Sequence, residues 1–85
     1  MARKFFPQVT ESVPASPPHP PGTQYRISIG SEDWNGVFVS VVKVQIAYDG
    51  AVAGRRSPSY PVDSRDCERV HKLIQKLLAS NRHSK

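Results

Sequence analysis

A strict alternation of apolar and polar residues marks the segment TQYRISIG. Its apolar residues Tyr25, Ile27 and Ile29 are separated by the polar residues Arg26 and Ser28. A period of two residues is typical of a strand that buries one of its faces. The pattern therefore predicts a strand whose tyrosine and isoleucines face a core.

A longer apolar run, VFVSVVKVQIAY, predicts a second strand that forms the centre of the domain. Its even-numbered positions are almost all apolar, so we expect that face to meet the core. These positions are Phe38, Ser40, Val42, Val44, Ile46 and Tyr48. The odd-numbered face is divided into an apolar half, Val37, Val39 and Val41, and a polar half with Lys43 and Gln45.

A two-residue turn signal, Asp49-Gly50, predicts a hairpin that leads into a third strand, AVAGRRSPSYPV. A two-residue loop would place Arg55 opposite Val44 on the core face, whereas a three-residue loop would place Arg56 there. The sequence leaves both registers open. In each of them, one arginine of the pair points outward.

The third strand is predicted to lie at an edge of the sheet. Pro58 and Pro61 have no N–H group to donate to a neighbouring strand. The arginine pair would then occupy an edge, where charge also discourages aggregation.

The segment VDSRDCERVHKLIQKLLAS predicts a helix. Asp63 or Ser64 suits the N-cap, and Asp66 and Glu68 fall in the first turn, where the helix dipole favours negative charge. Apolar residues at helical spacing form a stripe that we expect to lie across the sheet. They are Cys67, Val70, Leu73, Ile74, Leu77 and Leu78.

Residues 1–23 are rich in proline and serine and show no sustained period, which predicts a disordered proline-rich arm. Three functional alternatives remain open for this arm. PASPPHPP could be a polyproline-II ligand, Phe5 and Phe6 could dock on a partner, or KFFPQV could add to a free sheet edge.

The predicted fold class is α+β, a three-stranded antiparallel meander packed on one C-terminal helix, in the order β-β-β-α. We expect this domain to span residues 24–80 and residues 81–85 to form a flexible tail. A domain of this size buries only about 60% of its unfolded surface. Dimerisation or a bound partner is therefore expected to contribute to its stability.

The chain is basic, with a net charge of +5 and a pI near 9.8. This balance favours an acidic protein surface or a phosphate backbone as partner. Four of the basic residues lie in the terminal segments: Arg3, Lys4, Arg82 and Lys85. Eight basic and six acidic residues remain between Tyr25 and Ala79, so the charge of the domain itself is modest.

The expected location is the cytoplasm. The single cysteine, Cys67, excludes an internal disulfide and suits a reducing compartment, where we expect it to be a small buried apolar group. The sequence contains no apolar run long enough to span a membrane, and MARKFFPQV lacks the apolar segment of a signal peptide. A membrane partner is not expected.

No constellation of residues predicts catalysis, a cofactor or a metal. His19, His71 and His83 are scattered over three segments. Cys67 and His71 are one helical turn apart, but zinc requires three or four ligands at set spacing. We expect a non-enzymatic binding module.

One hypothesis is that the module binds DNA or RNA through the face of the sheet opposite the helix. Arg26, Lys43, Gln45 and one of Arg55 and Arg56 would share that face. Such residues contact phosphates and base edges when a sheet lies in a groove. Three-stranded sheets backed by one helix bind DNA in the arm-binding domains of phage integrases, to which this chain is similar in element order alone.

The alternative hypothesis is a protein-interaction module: an inhibitor or adaptor acting on an acidic protein surface, or a homodimer. Val37, Val39 and Val41 would form an apolar stripe on that same face, beside Trp34. Two structural explanations compete with an interface. Trp34 could fold back over the stripe, or the first predicted strand could extend this face into a second small core.

Overall fold

The computed structural model describes residues 4–54 and 56–83, which form one antiparallel sheet and a C-terminal helix. The α+β class is therefore confirmed. The elements in chain order are β1 (Phe5–Pro14), β2 (Thr23–Trp34), β3 (Val37–Tyr48), β4 (Ala51–Val52) and α1 (Asp66–His83). The strands lie in the sheet in the order β1-β2-β3-β4.

Strands β2 and β3 form a long hairpin around the turn Asn35-Gly36, where both residues adopt positive φ. Ile27 lies opposite Val44, so odd positions of β2 and even positions of β3 share the face on which α1 packs. The predicted core face is thus confirmed for Tyr25, Ile27 and Ile29 of β2 and for Val42, Val44 and Ile46 of β3. The buried cluster consists of Val13, Tyr25, Ile27, Ile29, Val70 and Leu77. Because the isoleucines meet the helix, they do not build a second core on the opposite face.

The sheet has a fourth strand, β1, in the segment for which a disordered arm was predicted. Residues 5–14 pair with the edge of β2, as in the alternative in which KFFPQV adds to a free edge. This segment is ordered because Val13 is buried in the core beside Tyr25. The local sequence does not reveal that burial. This strand also departs from the element order of the integrase arm-binding domains.

The prolines of β1 are accommodated at the outer edge of the sheet. The Ala15 amide donates to the Thr23 carbonyl at 2.9 Å, so the backbone groups of the preceding residue, Pro14, point away from β2. A bulge lies between Pro7 and Val9. The missing N–H groups therefore cost the sheet no hydrogen bond with β2.

The third predicted strand is much shorter than expected, because β4 contains only Ala51 and Val52. Tyr48 lies opposite Ala51, so the hairpin has the two-residue loop Asp49-Gly50, again with positive φ at both positions. After β4 the chain turns, with the Arg56 amide donating to the Ala53 carbonyl at 3.1 Å. Glycine and proline in the following residues disfavour further pairing.

Helix α1 packs on the sheet through Val70 and Leu77. The Ser64 hydroxyl oxygen accepts a hydrogen bond from the Asp66 amide at 3.2 Å at the start of the helix. Cys67 is exposed, contrary to the prediction, because the buried position at this end of the helix belongs to Asp66, one residue earlier. The helix continues into the predicted tail as far as His83. No helix in residues 4–54 and 56–83 is long and apolar enough to cross a membrane.

Candidate functional site

The candidate surface is the outer face of the sheet, defined as the face opposite α1. It carries the even-numbered residues of β2 and the odd-numbered residues of β3. Alternation along the strands dictates this division, because successive side chains point to opposite faces. Both sets of predicted site residues on β2 and β3 therefore fall on the same side of the sheet.

The polar half of the outer face brings together three of the predicted nucleic-acid contacts. Arg26 lies directly opposite Gln45, and Lys43 lies opposite Ser28 on the neighbouring strand. The Arg26 guanidinium donates to the Gly50 carbonyl at 3.2 Å, which holds it across the hairpin without neutralising its charge.

The charge of Lys43 is compensated within the sheet. Its ammonium group forms an ion pair with the Glu32 carboxylate, which is almost fully buried. The same carboxylate accepts a hydrogen bond of 2.7 Å from the Trp34 indole N–H. The Lys43 ammonium also lies 5.0 Å from the centre of the Phe5 ring. This arrangement ties three strands together and leaves Lys43 less available to a polyanion.

Arg56 does not join these residues. Arg56 lies 5.8 Å from the centre of the Tyr48 ring, a side chain on an even position of β3 and therefore on the helix side. It borders a shallow groove formed with Pro18, His19 and Ser59. The other predicted contact, Arg55, lies outside the described residues.

The apolar half of the outer face contains all four predicted protein-interface residues. Trp34 lies opposite Val37, and Val39 and Val41 follow along β3. Trp34 leans along β2 toward Glu32, yet it remains 41% exposed and Val37 remains 64% exposed. Folding back of the tryptophan therefore leaves one end of the stripe open to a partner.

Two phenylalanines continue the apolar region around the hairpin end onto the helix side of the sheet: Phe6, which was considered for docking on a partner, and Phe38, which was assigned to the core. Phe6 and Phe38 are 51% and 61% exposed, and their rings pack with centres 6.0 Å apart. The alternation of β3 placed Phe38 in the core, and this was wrong. The cluster around α1 includes Val42 and Val44 but does not reach Phe38.

We call the group of Phe6, Trp34, Val37 and Phe38 the hairpin-end surface. It surrounds the Asn35-Gly36 turn and presents large apolar side chains on both sides of the sheet. The only sequence signal for it was the run of bulky residues on both sides of a turn. That run was equally compatible with burial.

A second constellation, centred on Asp66, lies toward the other end of the hairpin, where Tyr25 is paired with Ile46. The fully buried Asp66 carboxylate accepts hydrogen bonds from the Ser16 amide at 2.8 Å and the Ser16 hydroxyl at 2.6 Å. It also accepts from the Tyr25 hydroxyl and from the Arg69 guanidinium, both at 2.7 Å. The carboxylate therefore joins the β1–β2 loop, strand β2 and helix α1. The position of Asp66 in the first helical turn was expected from the sequence, but its burial was not.

The electrostatics of this cluster follow from its hydrogen bonds. Burial by itself would raise the pKa of Asp66, but the bonds from Ser16, Tyr25 and Arg69 outweigh it and hold the pKa well below its usual range. Burial, together with the hydrogen bond to Asp66, raises the pKa of Tyr25. Burial likewise raises the pKa of Tyr60, which packs against Tyr25. All three groups are thus fixed in their ordinary charge states, as a structural cluster requires.

Among the residues that the structure describes, no three His, Cys, Asp or Glu side chains converge to hold a metal ion. The features that the fold does assemble are an open polar area, an apolar hairpin end and a buried carboxylate cluster. Comparison with protein-family models gave no match, and comparisons with curated proteins and with solved structures gave no significant match either.

Proposed function

We propose that this chain is a non-enzymatic binding module that contacts a partner protein through the hairpin-end surface and the adjoining valine stripe, Val37, Val39 and Val41. The observation that carries the proposal is the exposure of four large apolar side chains around one turn. Contiguous apolar patches on soluble domains mark interaction sites. Tryptophan at their centre is a favoured anchor.

The polar groups next to the patch support this proposal. The Trp34 indole N–H is bound by Glu32, so burying the ring under a partner leaves no donor without an acceptor. Lys43 is already paired with the same carboxylate. A partner can therefore cover the apolar half of the outer face without desolvating an unpaired charge, which would be costly.

The energetic gain is concentrated in a few side chains. Complete burial of a fully exposed Val or Phe side chain contributes roughly 1.5–3 kcal/mol. Association must first offset lost translational and rotational freedom, so several of these residues are needed together. The two most exposed of them, Val37 and Phe38, are adjacent in the chain but lie on opposite faces. We infer that the partner contacts both faces of the sheet at the hairpin end.

The experiment is affinity capture of proteins by the immobilised chain from nuclease-treated cell extract, at low and moderate salt. We expect Trp34→Ala to abolish capture of the specific partner, with little change between the two salt concentrations. Arg26→Ala is the matched outer-face control and is expected to retain it. If Trp34→Ala retains the partner in full, the hairpin-end surface is not the contact.

A second candidate function is nucleic-acid binding through the polar half of the outer face. The observation in its favour is the direct opposition of Arg26 and Gln45 on an open face of a chain with net charge +5. This candidate predicts binding to duplex DNA or RNA that weakens steeply with salt. Replacement of Arg26 by alanine would weaken it, whereas Trp34→Ala would leave its salt dependence unchanged.

We also propose the cytoplasm as the location. Cys67 is free and exposed, and an exposed unpaired thiol is best preserved in a reducing compartment.

A further inference from the structure

Strand β3 has a long bare edge. On one side it pairs with β2 along its whole length, but on the other side β4 pairs only with Ala47 and Tyr48. In the described part of the chain, no strand lies beside the segment from Val37 to Gln45 on that side. At about 3.3 Å per residue, the unpaired stretch is roughly 30 Å long.

The backbone groups that face this edge can be identified from the hairpin. The Ala53 amide donates to the Ile46 carbonyl at 2.9 Å, so the even-numbered residues of β3 direct their N–H and C=O groups away from β2. The direction alternates along a strand. Phe38, Ser40, Val42 and Val44 therefore present their N–H and C=O groups at the bare edge.

The two edges of the sheet differ in how they are protected. The β1 edge has Pro7, Pro14 and a bulge, all of which hinder pairing with another strand. The stretch 37–45 of β3 has no proline, glycine or bulge. Its single charged residue, Lys43, points to the outer face and is bound to Glu32. The edge thus lacks the features that natural sheets use to avoid edge pairing.

We propose that this edge pairs with the same edge of a second copy of the chain, antiparallel and around a two-fold axis at Val41. In this register, Val41 lies opposite Val41 of the second copy and Ser40 lies opposite Val42. All four outward-facing residues find partners, which gives about eight backbone hydrogen bonds. The two sheets then form one continuous sheet of eight strands, with both helices on the same face.

The side chains of β3 are complementary to themselves in this register. Phe38, which is exposed, lies opposite Val44 of the second copy, which is only partly covered by its own helix. On the outer face, Lys43 lies opposite the uncharged Val39. No two like charges meet across the axis, and such a contact would be destabilising.

A second copy is the partner that these observations favour. A two-fold interface uses the same patch on both copies. Because the paired strands are antiparallel, the Phe38 end of one β3 meets the Val44 end of the other, so both ends must be apolar. Strand β3 provides both ends. A domain this small buries a smaller fraction of its unfolded surface than a larger domain does, and pairing also gives the exposed Phe38 a neighbour.

The dimer goes beyond the proposed function and does not depend on it. It would join the two valine stripes across the axis into one apolar band, with a Trp34 side chain toward each end. The two proposals can fail separately. Loss of the dimer is measured as a change in the mass of the chain in solution, whereas loss of the partner is measured as the amount of protein captured by the immobilised chain.

The first experiment measures the mass of the chain in solution over a dilution series, by sedimentation or light scattering. We expect twice the 9.4 kDa chain mass at high concentration. Ser40→Pro removes an outward-facing N–H without breaking the β2–β3 ladder, and it is expected to give a monomer. Ser12→Pro makes the same change on the β1 edge and is expected to leave the dimer intact. Circular dichroism confirms that each variant is folded.

The second experiment tests the register in a Cys67→Ser background and does not depend on the proline variants. Opposed residues at the axis have Cα atoms about 4.5 Å apart, within the range that a disulfide can span. Val41→Cys is therefore expected to form a disulfide-linked dimer under mild oxidation. Val39→Cys is the matched control, since its two copies would be about 13 Å apart at this strand rise.

A chain that remains monomeric at the highest concentration would overturn the proposal. Equal cross-linking of Val39→Cys and Val41→Cys, or cross-linking of Val39→Cys alone, would overturn the register and with it the pairing around Val41. Dimeric wild type, monomeric Ser40→Pro and selective cross-linking at position 41 would establish it.

Discussion

Replacement of the buried carboxylate by Asp66→Ala is predicted to remove a large part of the stability of the fold. The side chain is fully buried and accepts four hydrogen bonds. Removing it leaves the Ser16 amide and the Tyr25 hydroxyl facing a cavity, and it leaves the Arg69 guanidinium without its carboxylate. The Arg69 side chain is 45% exposed, so water can replace the lost carboxylate there. A hydrogen bond to a charged group contributes about 1.5–3 kcal/mol, so losing those from Ser16 and Tyr25 costs about 3–6 kcal/mol.

The destabilisation caused by Asp66→Ala can be compared with the total free energy of unfolding. A chain of this length has a free energy of unfolding of roughly 4–13 kcal/mol, so Asp66→Ala is expected to bring the domain close to its unfolding threshold. Tyr25→Phe removes only one of the four donors to the carboxylate and should cost about 1–2 kcal/mol. Ser16→Ala keeps the backbone donor and should cost about 1 kcal/mol.

The assay is urea unfolding followed by far-ultraviolet circular dichroism, with the three variants measured beside the wild type. The expected order of destabilisation is Asp66→Ala, then Tyr25→Phe, then Ser16→Ala. Unfolding of Asp66→Ala at the same urea concentration as Tyr25→Phe would refute this prediction. That result would mean that the carboxylate is not the centre of the cluster.

Three further predictions concern pH, strand β1 and the outer face. The lowered pKa of Asp66 means that its stabilisation is present above about pH 4 and is lost as pH falls below it; the acid slope should flatten in Asp66→Ala. The raised pKa of Tyr25 means that stability falls as pH rises above about 10, and Tyr25→Phe should reduce that fall. At Gly30 an added methyl would meet the backbone of β1, 2.8 Å from one Cα atom, so Gly30→Ala should cost about 1–3 kcal/mol and speed amide exchange in β1. Gly54→Ala, with open space around it, should change neither. Glu32→Ala should shift the fluorescence of the single tryptophan to longer wavelength, because the indole is no longer held by Glu32 and becomes more exposed to water; an unchanged spectrum would contradict its anchoring.

The sequence predicted those parts of the fold that depend on local periodicity and turn chemistry. Strands β2 and β3 followed from alternation, and the Asp49-Gly50 turn followed from its need for positive φ. The helix followed from its apolar stripe and its acidic first turn. Each of these features can be recognised within a few neighbouring residues.

The parts that were missed depend on contacts between distant segments. Strand β1 is held by pairing with β2 and by burial of Val13, and its prolines hid both. Asp66 is recognisable as an anchor only when Ser16 and Tyr25 are beside it. The exposure of Phe38 depends on how far the core around the helix extends along the sheet, which periodicity does not determine.

The candidate site was predicted in part. Trp34 and the three valines lie together on the outer face, because alternation decides which side of a strand each residue occupies. Arg56 is on the helix side because the chain leaves the sheet after Val52. The sequence predicted a longer third strand, but β4 ends after two paired residues and the chain then turns. Arg56 therefore does not add its charge to the outer face.

The most direct test of the central claim compares two exposed valines in the same capture assay. Val37 belongs to the hairpin-end surface, whereas Val62 is 97% exposed in the loop before α1 and serves as the matched control. We predict that Val37→Ser loses the partner protein and that Val62→Ser retains it, at low and at moderate salt. Equal retention by both variants would contradict the account.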